Sequence, residues 1–272
     1  MGVVINTNVS SIAAARVLDR NQRDLAEAMS RLASGKRINS AADDATGMAV
    51  AAKMRGDVRS LAQAIRNTND GLSLANTYEG ASAEVEQILV RMRELAVQSM
   101  NGTYETSDLA YANEEFKALR SEIDRIADNT KFNQLTLSNV NFTLQIGPTT
   151  ADAIQISPNS LHAVTLGVGI TGVGLLTPAS ATAAVACVDQ ALDTLATARA
   201  ESGATINRLS HTVANLMNIN QRLQEALSGI EDADYATESA NLARGVVLAQ
   251  AGAAMLAQAN VTPQYVLALL RS

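Results

Sequence analysis

The sequence predicts a mainly α-helical protein: a long helical hairpin or coiled-coil rod with a three-helix bundle and one small β-hairpin. The strongest observation is a seven-residue repeat over 185–230, where large aliphatic side chains fill eleven of the fourteen positions in two rows. That share is far above the 47% hydrophobic content of the whole chain. Such a repeat keeps one apolar seam aligned on a helix that supercoils against a partner. The segment is about 70 Å long at the rise of an α-helix, which predicts a rod.

Composition supports this class. The chain has no Trp and only 3% aromatic residues, a mixture that suits thin seams between long helices. The net charge of −6, without a concentrated basic face, argues against nucleic acid and against an anionic membrane surface. Cys187 is the only cysteine, so an internal disulfide is excluded. We expect neither a conventional secretory signal nor a transmembrane helix, and these rules alone favour a cytoplasmic protein.

The first half of the chain predicts three helices. An amphipathic helix spans about 8–34, and Gly35 is placed to end it. The stretch 35–47 lacks an apolar seam and is predicted to be an extended connector. A second heptad-patterned helix runs over about 57–100, until Asn101-Gly102 breaks it, and a third covers about 107–128.

The second half begins with a β-hairpin and ends with two helices. Alternating residues at 142–146 and 153–157 flank a turn that starts at Gly147-Pro148, within a hairpin region near 136–172. A loop is marked by Gly167, Gly169, Gly172 and Gly174. The long heptad helix is predicted to begin near Ser180, just after Pro178. A last apolar helix covers about 237–258, and Pro263 is expected to interrupt it before the apolar residues 266–270.

The two terminal helices carry more apolar surface than one helix pair can cover. A helix that is apolar nearly all round must be buried nearly all round. We therefore expect the termini to become ordered when many copies assemble; a self-contained helical bundle is the alternative. The predicted polymerisation seams are Leu18, Leu25, Met29, Leu32, Leu242, Val246, Met255 and Leu256.

No residue pattern predicts catalysis, a metal site or a cofactor. The acidic clusters Asp43-Asp44 and 231–234 lack a nearby His or Cys and are typical of helix starts, where carboxylates meet the positive end of the dipole. Their aspartates are also candidates to pair with Arg31 or Arg37 of a neighbouring subunit. His162 and His211 have no second ligand at useful spacing. We expect no enzyme.

Three polar residues interrupt the heptad rows of the long helix. Arg199, Ser202 and Asn220 either reach solvent at the edge of the seam or fix the helix register, because a buried polar group penalises misaligned packing. The sequence leaves both readings open.

Specific motifs go beyond these patterns, and with them the chain resembles bacterial flagellin from end to end. The segments are VINTN at 4–8, RLASGKRINSAADDATG at 31–47, RELAVQS at 93–99, IEDADYATE at 230–238 and AQAN at 257–260. Lys36 and Thr46 depart mildly from the usual signature. The resemblance implies a minimal flagellin without variable outer domains. Residues 1–44 and 231–272 would form the terminal paired-helix domain in the filament core, and residues 45–230 a helical rod domain with the hairpin.

The resemblance implies a structural function: copies polymerise through their terminal helices into a tubular helical filament for motility. It also implies export through the flagellar type III apparatus, which replaces the cytoplasmic expectation with an extracellular one. The implied partners are other copies of the chain, flagellar junction and cap proteins, and a flagellin-specific export chaperone, with no nucleic acid and no membrane. The alternatives are a hook–filament junction protein and a secreted coiled-coil adaptor of a related type III system.

The resemblance also implies a receptor site. Arg91, Glu94, Leu95 and Glu115 match positions that contact the innate receptor Toll-like receptor 5 in many flagellins. Val90 and Met92 depart from the commoner residues of that motif. The alternative is that this helix face packs laterally between filament subunits, and a surface buried in the polymer is free in the monomer.

Overall fold

The computed structural model describes residues 7–149, 151–169 and 173–271, with side chains described as far as residue 262. The described residues form five helices and four short strands, which confirms the mainly α class. In chain order these are α1 (Val9–Ser34), α2 (Ala45–Ser99), α3 (Thr106–Asn129), β1 (Lys131–Phe132), β2 (Leu135–Thr136), β3 (Phe142–Gln145), β4 (Ala153–Ile156), α4 (Pro178–Glu231) and α5 (Tyr235–Arg271). Residues 4–6 of the opening motif and Gly172 of the predicted loop lie outside the described residues.

Packing divides the chain into two compact units. The first unit comprises Met1–Gly56 and Arg222–Ser272, and the second comprises Asp57–Gln221. Both divisions fall inside the long helices α2 and α4. The predicted domain boundaries, after residue 44 and after residue 230, lie instead at the ends of these helices.

The boundaries of α1 and α2 follow from their caps. The Asn8 side chain accepts a hydrogen bond from the amide of Ser11 at the start of α1, and Gly35 ends the helix in the left-handed conformation with φ 70°. The predicted start of α2 near residue 57 is wrong, because the helix begins at Ala45. The Asp44 carboxylate accepts from the amide of Gly47 at 2.8 Å, which satisfies a free donor of the first turn.

Two antiparallel strand pairs follow α3, where the sequence predicted one. The predicted hairpin is present, with Phe142 opposite Ile156 and Gln145 opposite Ala153. The pair of β1 and β2 was missed because each strand has only two residues, too few to show alternation. Asn133 and Gln134 join them with positive φ angles of 49° and 66°, as a two-residue turn of this kind requires.

The core of the second unit draws on all three of its helices. Its largest fully buried side chains include Leu89 and Met92 of α2, Phe116 and Ile123 of α3, and Val188 and Leu195 of α4. The glycine-rich segment before α4 belongs to this core, since Leu161, Val168 and Leu175 are fully buried. Side chains of α3 bind its backbone: Asp124 accepts from the amide of Ala163 at 2.9 Å, and Asn113 accepts from the amide of Leu175 at 3.0 Å.

The last two helices differ from prediction at their proline residues. Pro178 is the first residue of α4, where its fixed φ suits a helix and its missing N–H costs nothing. The prediction that Pro263 interrupts the last helix is wrong, because α5 continues through it to Arg271. The helical segment Tyr235–Thr262 is long and apolar enough to cross a membrane, by length and composition alone. The sequence did not predict such a segment, because charged residues such as Glu238 and Arg244 interrupt its apolar run.

Candidate assembly interface

Helices α1 and α5 pack against each other along a heptad seam in the first unit. The less exposed positions of α1 include Leu18, Leu25 and Leu32, spaced by seven. Leu18 lies against Gly252 and Leu25 against Gly245, so the spacing of seven is matched on α5. A Cβ atom at Gly245 would lie 3.1 Å from Leu25 Cδ1, and one at Gly252 would lie 3.3 Å from Leu18 Cδ1. Glycine therefore lets the two backbones approach closely in an antiparallel register.

The eight predicted seam residues fall into two groups. Five are half-buried and lie on the heptad faces of the two helices: Leu18, Leu25, Leu32, Leu242 and Leu256. The other three are exposed, Met29 by 54%, Val246 by 42% and Met255 by 66%. The first group thus faces the partner helix of the same chain, and the second is free to contact another molecule.

Further exposed apolar residues accompany this second group. On α5 they are Val247, Leu248 and Val261, and on α1 they are Val9, Ile12 and Val17. The heptad face of α5 runs through positions 245, 249, 252 and 256, so the exposed residues lie outside the face that α1 covers. The terminal helix pair therefore exposes apolar side chains on both helices, outside the face along which the two helices pack.

A polar layer lies in the seam near the end of α1. Arg31 donates to Glu238 of α5 at 3.1 Å and forms an ion pair with Glu27 of its own helix at 2.5 Å. Glu238 is buried. A buried charge that loses its partner is costly, so this pair favours a single register of the two helices.

The loops that follow α1 and α4 are joined by backbone hydrogen bonds. The amide of Arg37 donates to the carbonyl of Glu231 at 2.7 Å, and the amide of Ala233 donates to the carbonyl of Gly35 at 3.0 Å. The Glu231 side chain is only 7% exposed and pairs with Lys36 and, at 3.5 Å, with Arg55. We call this arrangement the connector clasp. It holds two distant segments of the chain side by side.

The acidic clusters serve as caps and turns within the chain. The Asp43 carboxylate accepts from the backbone amides of Ser40 and Asn39, and these hydrogen bonds lower the pKa of Asp43. Asp234 caps α5, and hydrogen bonds from the Thr237 hydroxyl and the Ala236 amide lower the pKa of Asp234. Both carboxylates therefore stay ionised at neutral pH.

The polar residues in the heptad rows of α4 have distinct environments. Arg199 donates to Glu79 of α2 at 2.7 and 2.9 Å and also pairs with Glu86 of α2. The side chains of Arg199 and Glu79 are each 31% exposed and that of Glu86 is 46% exposed. Because Arg199 binds two carboxylates of α2, the structure favours the interpretation in which it fixes the helix register over one in which it simply reaches solvent. Ser202 lines a small cavity with Tyr78 and Asn159. Burial raises the pKa of the Tyr78 phenol, which donates to the Asn159 carbonyl.

Three of the four predicted receptor residues form one exposed cluster. Arg91 donates to Glu115 of α3 at 2.8 and 2.9 Å and to Glu94 at 3.1 Å. The hydrogen bonds with Glu115, and then those with Glu94, raise the pKa of Arg91. Leu95 is only 3% exposed and belongs to the core of the second unit. The cluster borders a groove of about 370 Å³ that also includes Tyr104 and Tyr111.

Among the residues that the structure describes, no group of three or more His, Cys, Asp or Glu side chains is arranged to hold a metal ion. His162 lies 3.5 Å from Asp124 and 3.8 Å from Asp128, both on α3. Cys187 is half-buried.

Comparison with known proteins gives matches at both ends of the chain. Residues 5–142 match the family model described as the bacterial flagellin N-terminal helical region, and residues 185–270 match the bacterial flagellin C-terminal helical region. The chain is 42% identical over 272 residues to a flagellin of Halalkalibacterium halodurans, covering 99% of this chain and 100% of that one. It is 37% identical to the flagellar filament 31.3 kDa core protein of Treponema maltophilum, covering 99% and 100%.

Solved structures agree with this result. The crystal structure of Bacillus cereus flagellin matches with a TM-score of 0.51 and 30% identity, over 56% of this chain and 88% of that one. A putative flagellar hook-associated protein from Vibrio parahaemolyticus matches with a TM-score of 0.59 over 70% of this chain and 100% of that one. Its 14% identity shows a shared fold alone.

Proposed function

Because the chain belongs to the bacterial flagellin family and is a structural subunit of the flagellar filament, we propose that its terminal helices α1 and α5 are the surfaces through which copies polymerise. The observation that carries this proposal is the apolar surface on α5 that α1 leaves uncovered, with Val246, Val247 and Met255 exposed. Burying such side chains between subunits releases water from apolar surface, which is the main driving force of protein association.

This proposal assigns a role to each terminal segment. Residues 1–44 and 231–272 form the paired-helix domain of the filament core, and residues 45–230 form the helical rod domain with the hairpin. The half-buried leucines of α1 and α5 hold the helix pair together within one subunit. Met29, Val246 and Met255 then bind neighbouring subunits, in keeping with their exposure in the single chain. The membrane-like apolarity of α5 is explained by burial among copies of the chain.

A charge at the exposed surface tests the proposal. Met255→Glu should prevent seeded filament growth, because a carboxylate would be buried between subunits without a partner. Met255→Leu keeps an apolar side chain of similar volume and should assemble normally, which makes it the matched control. Filament growth is measured by electron microscopy and by sedimentation.

Removal of the termini provides the second test. A chain that lacks residues 1–34 and 235–272 should form no filaments under conditions in which the full chain does. Ordered tubes from this truncated chain at the usual rate, or normal growth of Met255→Glu, would show that other surfaces drive assembly.

Export is the second part of the proposal. We infer that the chain leaves the cell through the flagellar type III apparatus and acts extracellularly, with a flagellin-specific chaperone and with junction and cap proteins as partners. The open apolar surface of α5 supports the need for a chaperone before assembly, since such a surface favours aggregation. Detection of the chain in the medium of a strain with an intact export apparatus, and its retention in a strain without one, tests this part.

Recognition by Toll-like receptor 5 is the third part. Arg91, Glu94 and Glu115 support it, because they form one exposed charged cluster beside a groove. Leu95 contributes through packing, since its side chain is buried. Arg91→Ala should lower the response of a receptor reporter cell line to purified monomer. Arg125→Ala removes a comparable exposed ion pair, with Glu122 of the same helix, and should leave the response unchanged. A silent response to the unaltered monomer would remove the claim.

A further inference from the structure

Pro263 removes one backbone hydrogen bond from the interior of α5. In an α-helix the carbonyl of each residue accepts the amide hydrogen four residues later. Proline has no amide hydrogen, so the Ala259 carbonyl lacks its donor although α5 continues to Arg271. A helix that continues through proline needs another donor for this carbonyl, because a backbone group without a partner is costly when it leaves water.

The missing donor comes from the other end of the chain. The side-chain amide of Asn8 donates to the Ala259 carbonyl at 2.8 Å. The next residue of α5 is also held, since the Ser11 hydroxyl donates to the side-chain carbonyl of Asn260 at 2.7 Å. Both contacts lie within the first unit.

The Asn8 side chain also caps the N-terminus of α1. Its side-chain oxygen accepts from the Ser11 amide at 3.0 Å and from the Ser10 hydroxyl at 2.7 Å, so it caps the first turn of α1. The Asn8 side chain thus caps α1 and also supplies the donor that the Ala259 carbonyl of α5 lacks. Asparagine carries both an acceptor and two N–H donors. Aspartate has no donor when ionised, and serine, though a good cap, is shorter and lacks the amide group.

We propose that Asn8 is a positioning residue that sets the register of the terminal helix pair by replacing the hydrogen bond that Pro263 removes. The contact ties residue 8 to residue 259, and the Leu18–Gly252 and Leu25–Gly245 contacts continue the same antiparallel alignment. A shift of α5 by one turn would leave the Ala259 carbonyl without a donor. The register matters for the filament because it fixes where the exposed apolar residues of α1 and α5 stand relative to each other.

A double-mutant cycle between positions 8 and 263 tests this inference. Asn8→Ser keeps a capping oxygen but removes the amide donor. It should raise the critical concentration for seeded assembly about two- to tenfold, the effect of one lost hydrogen bond. Pro263→Ala restores the backbone donor to Ala259, so Asn8→Ser in the Pro263→Ala background should change the critical concentration less than about twofold.

The critical concentrations of the four chains in this cycle decide between coupled and independent roles of Asn8 and Pro263. Equal effects of Asn8→Ser in both backgrounds, or no effect in either, overturn the inference. If Asn8→Ser alone does not assemble, the double variant decides: assembly close to that of Pro263→Ala supports the coupling, and failure to assemble overturns it. The inference rests on the proposed role of the terminal helices, which the truncated chain tests separately. Normal assembly of that chain would reject the proposed function, whereas uncoupled effects at 8 and 263 would reject only this inference.

Discussion

Two glycines of α2, only nine residues apart, are expected to respond oppositely to the same substitution. Both lie inside the helix, but only Gly71 faces a neighbour. A Cβ atom at Gly71 would overlap Leu144 Cδ1 of the hairpin and lie 3.2 Å from its Cγ and 3.3 Å from its Cδ2. A Cβ atom at Gly80 would meet nothing within 4 Å.

These contacts decide whether alanine raises or lowers the free energy of unfolding at each position. Alanine is favoured over glycine inside a helix by about 0.8–1.0 kcal/mol, so Gly80→Ala should raise the free energy of unfolding by about this amount. Gly71→Ala has the same gain, but inserting a methyl group into a packed site costs about 1–3 kcal/mol. Moving the Leu144 Cδ1 methyl group relieves the overlap only in part, because Cγ and Cδ2 also lie within 3.3 Å of the new atom. The two variants should therefore differ by about 1–3 kcal/mol.

Thermal unfolding of the monomer, followed by circular dichroism, measures this difference. A change of 1 kcal/mol shifts the melting temperature by about 2–4 °C for a unit of this size, so Gly71→Ala should melt about 2–12 °C below Gly80→Ala. Leu144→Ala should remove most of the extra cost when it is combined with Gly71→Ala. If Gly71→Ala melts at or above Gly80→Ala, the hairpin does not pack on α2 as described.

Three further predictions concern the second unit. Arg199→Met should lower the free energy of unfolding by about 1 kcal/mol because its two glutamate partners lose their cation. Measured by urea unfolding, this loss should be smaller at high salt than at low salt. An equal loss at high and at low salt would contradict the ionic role. The hydrogen bond from Arg125 lowers the pKa of Glu122 below its usual 4.5, so its stabilisation is present above that pH and is lost as the pH falls through the lower folded value. Glu122→Gln should accordingly lower the melting temperature at pH 7, and this loss should shrink as the pH falls below 4.5. A loss of the same size at neutral and at acidic pH would refute the linkage. Phe116→Ala should cost about 3–5 kcal/mol in chemical unfolding, since the ring is fully buried, and a loss under 1 kcal/mol would show that the site is solvated.

The long helix α4 was predictable because large aliphatic residues mark its buried face at nearly every heptad position. The start of α2 was not, because its first turns pack through small residues such as Ala51, which is almost fully buried. An apolar pattern counts large side chains, so a seam of alanine is easily mistaken for a connector. The cap at Asp44 was the available signal.

The remaining differences come from long-range contacts. Proline normally ends a helix, and the Asn8 side chain that satisfies Ala259 lies about 250 residues away in sequence. The glycine-rich segment before α4 is a loop in its described residues, as predicted, but the sequence did not show that its Leu161 and Leu175 are buried. Asn113 and Asp124 of α3 bind the backbone of this segment, and no local pattern predicts these contacts. Likewise, periodicity identifies an apolar residue but does not say which helix covers it, so the predicted seam mixed residues that face α1 or α5 with residues that remain exposed.

The connector clasp bears on the order in which the chain folds. Residues 36 and 232 pair although about 200 positions separate them, and closing so large a loop in an unfolded chain costs about 4–5 kcal/mol of conformational entropy. Contacts between near neighbours in sequence, such as those of the β3–β4 hairpin, carry a much smaller cost and form faster. The two terminal segments should therefore pair late during folding and separate early during unfolding. In a hydrogen-exchange experiment, the amides of Arg37 and Ala233 should exchange with deuterium before those of α3. In a chain that closes last at its ends, the terminal helices stay unpaired until the rest of it has folded.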